Sequence, residues 1–175
     1  AVDRIRDTAE SHDRLFIVEV MGRDSGLIAL RSGIGVGAEA IMIPEANMNA
    51  DDILHKLEHS RKDKASKIII VAEGDDAGGA FKVGEILQSK YPHYDTKVSI
   101  LGHIQRGGKP SCMDRVLASR LGVAAVEGLV RGESGKMAGL VNQEVTFTPF
   151  EHAIKHIDAE KVSTRWLKLM DILSF

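Results

Sequence analysis

The chain has a single cysteine, Cys112, so no internal disulfide can form and a reducing compartment suits it. No apolar run approaches the ~20 residues that a membrane-spanning helix requires. The opening residues, Ala1-Val2-Asp3-Arg4-Ile5-Arg6, lack the apolar core of a signal peptide and also lack an initiator methionine. The expectation is a processed or truncated chain in the cytoplasm. An excess of one charge is absent as well. The net charge is −2, which gives no electrostatic reason to expect nucleic acid or an anionic membrane as partner. Hydrophobic residues make up 43% and charged residues 27% of the 175, ordinary for a soluble globular protein with one good-sized core or two lobes sharing it. Any phosphate binding must therefore come from local basic clusters.

Two short segments carry such local chemistry. Val20-Met21-Gly22-Arg23 closes one apolar run, and Leu101-Gly102-His103-Ile104-Gln105-Arg106-Gly107-Gly108 closes another. Strand ends in open α/β sheets are where ligands bind, so the two could line one crevice. Glycine lets a ligand approach the backbone, and the planar fork of arginine suits phosphate oxygens. Recognition of a small phosphorylated molecule is the chemistry they suggest.

The rest of the chain supplies the frame. Strands are expected at Arg14 to Val20, Ala40 to Pro44, Ile68 to Ala72 and Val98 to Leu101. The Ile68 to Ala72 run is continuously apolar, as a central parallel strand covered on both sides should be. A short helix over Ser25 to Ser32 should end in Gly33, Gly35 and Gly37, and another should open at Asp51 and Asp52 and bury Ile53, Leu54 and Leu57. Phe81, Val83, Ile86 and Leu87 mark a third helix. A longer one begins at Pro110-Ser111 with Ser111 as N-cap, buries a stripe of Val116, Leu117, Leu121, Ala124, Ala125 and Leu129, and ends at Gly132. A hairpin over Met137 to Asn142 and Val145 to Thr148 follows, then a helix around Trp166, Leu167, Leu169, Met170 and Ile172. Alternating strands and helices argue an α/β fold, a parallel sheet with helices on both faces.

Each candidate residue also has a plainer reading. Taken alone, Arg23, His103 or Arg106 is more often a surface salt-bridge former than a ligand. Glu73, between an apolar strand and Gly74, is either a carboxylate near a helix N-terminus or an acceptor for sugar hydroxyls. His55-Lys56-Leu57-Glu58-His59 spells H-x-x-E-H, a pattern found in some zinc peptidases. The apolar face of that helix turns the histidines outward, however, and Lys56, Arg61 and Lys62 oppose a cation. No metal is expected there or at His152 and His156. Gly33-Ile34-Gly35-Val36-Gly37-Ala38 follows a helix rather than a strand, the wrong context for a dinucleotide fingerprint. Lys62, Lys64 and Lys67 form a solvated turn that, beside Arg6, could also hold an anion. Cys112 is read as a plain small residue.

Val2-Asp3-Arg4-Ile5-Arg6-Asp7-Thr8, Val18 through Arg23, Leu101 through Gly108 and Asp114 through Arg120 are long, ordered matches to one family. On them the chain resembles the C-terminal half of the bacterial-type 6-phosphofructokinases. The resemblance implies transfer of the γ-phosphoryl of ATP, with Mg2+, to the 1-hydroxyl of fructose 6-phosphate in glycolysis, by a homo-oligomer that is tetrameric by family analogy. It implies that Met21, Gly22, Arg23, Glu73, His103 and Arg106 contact the sugar phosphate, with Arg23 as the catalytic residue nearest the reacting hydroxyl. Phosphoryl transfer is catalysed mostly by positioning and electrostatics, so an arginine there is chemically apt. Arg14 and Lys97 would reach across an interface to the 6-phosphate in the neighbouring subunit. Lysine stands where the family usually has arginine and lacks the bidentate fork.

An allosteric nucleotide site is implied at Arg6, Gly37, Glu39, Lys62 and Lys64. There Asp63 replaces the usual glycine and disfavours a phosphate. The family's glycine-rich ATP loop, magnesium-binding aspartate and Thr-Ile-Asp-Asn-Asp catalytic segment have no counterpart here, so the chain alone is expected to be inactive. By the family pattern, residues 1–105 form the sugar-phosphate lobe. Residues 106–150 pack on the nucleotide lobe, leaving apolar surface uncovered, and 151–175 rejoin the first lobe. The alternatives are a non-catalytic phosphosugar-binding or regulatory module, a pyrophosphate-dependent relative, and a piece that assembles and binds nothing well.

Overall fold

A computed structural model describes residues 1–8, 14–46, 48–59, 66–74, 78–153 and 164–173. The chain divides into two compact units, Ala1–Arg106 with Ala159–Phe175, and Gly107–Asp158. In the first, β1 (Arg14–Val20), β2 (Ala40–Met42), β3 (Ser66–Ala72) and β4 (Asp95–Ile100) form a sheet of order β2-β3-β1-β4, every pairing parallel. The helices of this unit are α1 (Val2–Asp7), α2 (Leu27–Val36), α3 (Ala50–His59), α4 (Gly79–Lys90) and, from the end of the chain, α7 (Thr164–Leu173).

The strand order dictates where the helices go. The β1-to-β2 connection steps across the sheet in one direction, and the next two connections step back. Parallel crossovers are right-handed, so α2 must lie on one face and α3 and α4 on the other. The core has this arrangement. Phe16, Val18, Ile68 and Ile70 pack with Ala29 and Leu30 of α2, Val2 of α1 and Met170 of α7. Leu15, Ile17, Ile69 and Val71 pack with Ile53 and Leu57 of α3 and with Val83 and Leu87 of α4. Successive residues of β1 and β3 thus serve opposite cores, which is why Leu15 to Val18 and Ile68 to Ala72 read as unbroken apolar runs.

One expectation is corrected here and another, the helix opening at Asp51 and Asp52, is met with a cap one step earlier. The helix α2 does not stop at Gly33. It continues to Val36, and only Gly37, left-handed at φ 62°, caps it. Gly33 is there for packing, because a Cβ would lie 2.5 Å from Ile41 Cδ1. The start of α3 is set by Asn49, whose Oδ1 accepts from the Asp51 and Asp52 amides while Asp52 Oδ2 accepts from the Asn49 amide. This reciprocal cap places the acidic pair inside the first turn. The short helix α1 is too brief to display a period in the sequence.

The second unit holds α5 (Cys112–Val130), the antiparallel hairpin of β5 (Lys136–Val141) and β6 (Glu144–Pro149), and α6 (Phe150–Ala153). Ser111 caps α5 as expected: its hydroxyl accepts from the Asp114 amide and the Asp114 carboxylate accepts from Ser111. The expected stripe is not buried, however. Val116 is 49% and Leu129 69% exposed, because a two-stranded hairpin is the only sheet this unit offers among the described residues. Contact is close where Gly128 meets the Phe147 ring; a Cβ there would lie 2.7 Å from it.

Candidate functional site

The helices that follow β1 and β3 leave for opposite faces, so a crevice opens between the carboxyl ends of these neighbouring strands. This is the topological switch point at which open α/β sheets bind ligands. Met21-Gly22-Arg23 follows β1 and Glu73-Gly74 follows β3.

Side chains tie these ends together. Glu73 Oε1 accepts from the Gly22 amide at 3.1 Å and the Arg23 amide at 2.6 Å. From the turn that follows the other neighbouring strand, β4, Gln105 Oε1 accepts from the Met21 amide at 2.9 Å. The backbone contributes as well: the Glu73 amide donates to Val20 O, and the Leu101 amide donates to Glu19 O. The ladder of β1 therefore runs past its end, with carboxylate and carboxamide oxygens replacing strand carbonyls.

Steric constraints sharpen this arrangement. Arg23 has φ 53°, a left-handed conformation that costs a non-glycine residue about 1–2 kcal/mol. A Cβ on Gly74 would lie 2.2 Å from Arg23 O, and one on Gly22 would lie 2.3 Å from Ser25 O. Glycine at both positions is thus required by close backbone approach, and Glu73 holds the strained residue between them. Two successive amides converging on a carboxylate stabilise its charge. The Glu73 carboxyl accordingly titrates below its ordinary range, chiefly through the Gly22 and Arg23 amides and further through the Arg106 and Arg23 guanidiniums.

Acidic residues also fix the neighbouring helices. The α4 N-cap, Gly78, has no side chain to offer, and Glu19 Oε2 from β1 accepts the Ala80 amide at 2.8 Å. Glu45 does the same for α2, accepting the Gly26 amide at 2.9 and 3.1 Å. Residues 102–106 form a 3₁₀ turn, Gly102–Arg106, after β4. Its three-residue period puts His103 and Arg106 on one side, both exposed, with Gln105 turned inward and half-buried.

Met21, Gly22, Arg23, Glu73 and Arg106 thus meet, with His103 beside Arg106. Arg14 and Lys97 do not join them. Arg14 starts β1, and at about 3.3 Å per residue it lies roughly 20 Å from Met21, at the far end of the sheet. There both flank Asp95: Arg14 Nε lies 3.7 Å and Lys97 Nζ 2.8 Å from its carboxylate. Arg14 Nη1 donates to Thr8 O, while its buried Nε has no hydrogen bond among the described residues.

Of the effector candidates, Arg6 and Gly37 come together at the C-terminus of α2, where Arg6 donates to Val36 O. Glu39 is 2% exposed and its Oε2 accepts the Ile68 amide at 2.6 Å, beside the backbone bond from its own amide to Ile68 O. Lys62, Lys64 and Asp63 lie outside the described residues.

His55 and His59 stack with ring centroids 4.1 Å apart, and His59 Nδ1 donates to His55 O. His152 is exposed, and His156 lies outside the described residues. Lys67 Nζ donates to Leu57 O, and Cys112 is exposed at the start of α5. Among the described residues no helix is long and apolar enough to cross a membrane.

Gln105 and Glu19 are not marked as site residues by the sequence alone. A glutamine beside a candidate ligand arginine is visible there, as is a lone carboxylate among the apolar residues of β1. Neither has a local signal for a partner sixty or more positions away.

The profile of the phosphofructokinase family matches residues 1–129. An ATP-dependent 6-phosphofructokinase of Staphylococcus epidermidis is 49% identical over 175 residues, covering 99% of this chain and 53% of its own length. The ATP-dependent 6-phosphofructokinase 2 of Bacteroides thetaiotaomicron is 48% identical over 157 residues, covering 89% of this chain and 48% of its own length. The chain therefore spans about half the length of the curated relatives it matches. Among solved structures, Pichia pastoris phosphofructokinase in the T-state superposes with a TM-score of 0.74 at 30% identity, over 99% of this chain and 20% of that one. Saccharomyces cerevisiae phosphofructokinase gives 0.81 at 22% identity, over 99% and 26%, a likeness of fold. The matched stretch contains the β1, β3 and β4 ends that build the crevice, and on these grounds the chain belongs to the phosphofructokinase family.

Proposed function

We propose that this chain is the sugar-phosphate half of an ATP-dependent 6-phosphofructokinase, whose whole protein transfers the γ-phosphoryl of ATP to the 1-hydroxyl of fructose 6-phosphate. The observation that supports this most is the convergence of Glu73 on the Gly22 and Arg23 amides at the switch point, with Arg106 close by. In this assignment Met21, Gly22, Glu73, His103 and Arg106 bind the sugar phosphate. Arg23 stabilises charge developing on the reacting oxygens, a role that needs a fixed guanidinium more than a covalent group. ATP rather than pyrophosphate is favoured by the names of relatives 46–53% identical to the chain.

The other half of the protein would hold ATP, Mg2+ and the base that deprotonates the hydroxyl. Among the described residues no three His, Cys, Asp or Glu side chains are grouped to hold a metal ion. Residues 106–150 would pack on that other half, in keeping with the exposed Val116 and Leu129. Arg14 and Lys97, far from the crevice, would serve the 6-phosphate of a neighbouring subunit in a cytoplasmic homotetramer. An effector nucleotide site, disfavoured by Asp63, would draw on Arg6, Gly37, Glu39, Lys62 and Lys64; Arg6 donates to Val36 O and Glu39 Oε2 accepts the Ile68 amide.

Calorimetric titration of the chain with fructose 6-phosphate tests the proposal. Saturable binding is expected, weakened by about 1.5–3 kcal/mol in Arg106→Ala and in Arg23→Ala. No binding, or binding indifferent to both substitutions, overturns it. Turnover with Mg-ATP by the purified chain alone would overturn the division of labour between the halves.

A further inference from the structure

Gln105 is the residue of the 3₁₀ turn that faces the sheet. His103 and Arg106 share the outer side of the turn and are exposed, whereas Gln105 is half-buried with its Oε1 on the Met21 amide. That bond joins segments 84 positions apart. The turn itself is bracketed by glycines. It begins at Gly102, left-handed at φ 52°, and runs into Gly107-Gly108, with Gly108 at φ 105°. A five-residue turn between glycines has little intrinsic stiffness. Its orientation toward Met21-Gly22-Arg23 must come from a tertiary anchor.

We propose that Gln105 is a positioning residue, which locks the His103/Arg106 side of the turn against the end of β1 so that Arg106 and Arg23 face one phosphosugar. This rests on the sugar-phosphate assignment above. Gln105 itself need not touch the ligand. Its carboxamide oxygen takes the first amide beyond the β1 ladder, in register with the Glu73 carboxylate that takes the next two. The β1 end is thereby clamped from both neighbouring strands. A side chain without an acceptor at 105 frees the Met21 amide and leaves the turn to pivot on Gly102 and Gly107.

The test combines amide exchange by NMR with fructose 6-phosphate titration of the chain, using Gln105→Met, Gln105→Glu, Arg106→Ala and the Gln105→Met/Arg106→Ala double variant. Protection of the Met21 amide should fall about tenfold in Gln105→Met and be kept in Gln105→Glu, which retains an acceptor oxygen. Affinity should fall about tenfold in Gln105→Met. The double variant should be no more than about twofold weaker than Arg106→Ala, because Gln105 acts through Arg106. An unchanged Met21 amide, an unchanged affinity in Gln105→Met, or losses that multiply in the double variant would overturn the proposal. If the wild-type chain shows no affinity for fructose 6-phosphate, the sugar-phosphate assignment fails first and this proposal falls with it.

Discussion

Glu73 Oε1 lies 2.6 Å from the backbone nitrogen of Arg23, 50 positions earlier in the chain. The bond holds the one residue of the crevice that is both left-handed and cationic. A carboxylate from β3 therefore sets the backbone from which the β1-end arginine extends, and the two residues act as a unit.

The charge on Glu73 makes part of the fold's stability depend on pH. Its folded pKa lies below the ordinary value, through the Gly22 and Arg23 amides first and the arginines second. The contribution is therefore complete above the ordinary, unfolded value of 4.5. It is lost as pH falls through the lower, folded value, because the unfolded chain takes up the proton first. Melting curves of wild type and Glu73→Gln at pH 7 and pH 3 should show a gap that narrows on acidification. A gap that widens toward pH 3 would contradict the assigned direction.

Arg23→Gly should separate stability from function. Glycine accepts φ 53° freely, so the substitution should leave the chain as stable as wild type or up to about 1 kcal/mol more stable. Fructose 6-phosphate affinity should fall all the same. Urea unfolding and calorimetry read the two effects; a loss of more than about 1 kcal/mol in stability would mean that Arg23 is structural.

Gly74→Ala should damage the same loop from beneath. The new methyl would lie 2.2 Å from Arg23 O, and backbone must move to admit it. A cost of about 1–3 kcal/mol is expected by urea unfolding, with ligand affinity reduced as well. Gly35→Ala, in a helix and with nothing within 4 Å of its Cβ position, should be neutral or stabilising.

Two leucines test the distinction between buried and exposed apolar faces. Leu30 of α2 is 0% exposed and Leu129 of α5 is 69% exposed. Leu30→Ala should cost about 2–5 kcal/mol, whereas Leu129→Ala should stay within about 0.5 kcal/mol. A loss at Leu129 similar to that at Leu30 would show that the α5 face is covered within the chain.

Much of this protein could be read locally. The apolar Ile68 to Ala72 run announces a central parallel strand because both of its faces are covered. Ser111 and Asp114 announce the start of α5 because capping is a bond between near neighbours. Met21-Gly22-Arg23 and His103 through Arg106 could be singled out because residue type and position after a strand are both properties of the sequence.

Other features depended on distant partners. Gly33 looks like a helix end until Ile41 is seen against it, and the α5 stripe looks buried until the layer that should cover it is found to be a two-stranded hairpin. Sequence by itself determined the alternation of strands and helices, the family and the residues proposed to bind a phosphosugar. The tertiary structure alone decided that Glu73 and Gln105 grip the end of β1, and that Arg14 and Lys97 stand at the opposite end of the sheet. The reason is physical: propensity and capping act over a few residues, whereas strand order determines which distant side chains come within hydrogen-bond reach.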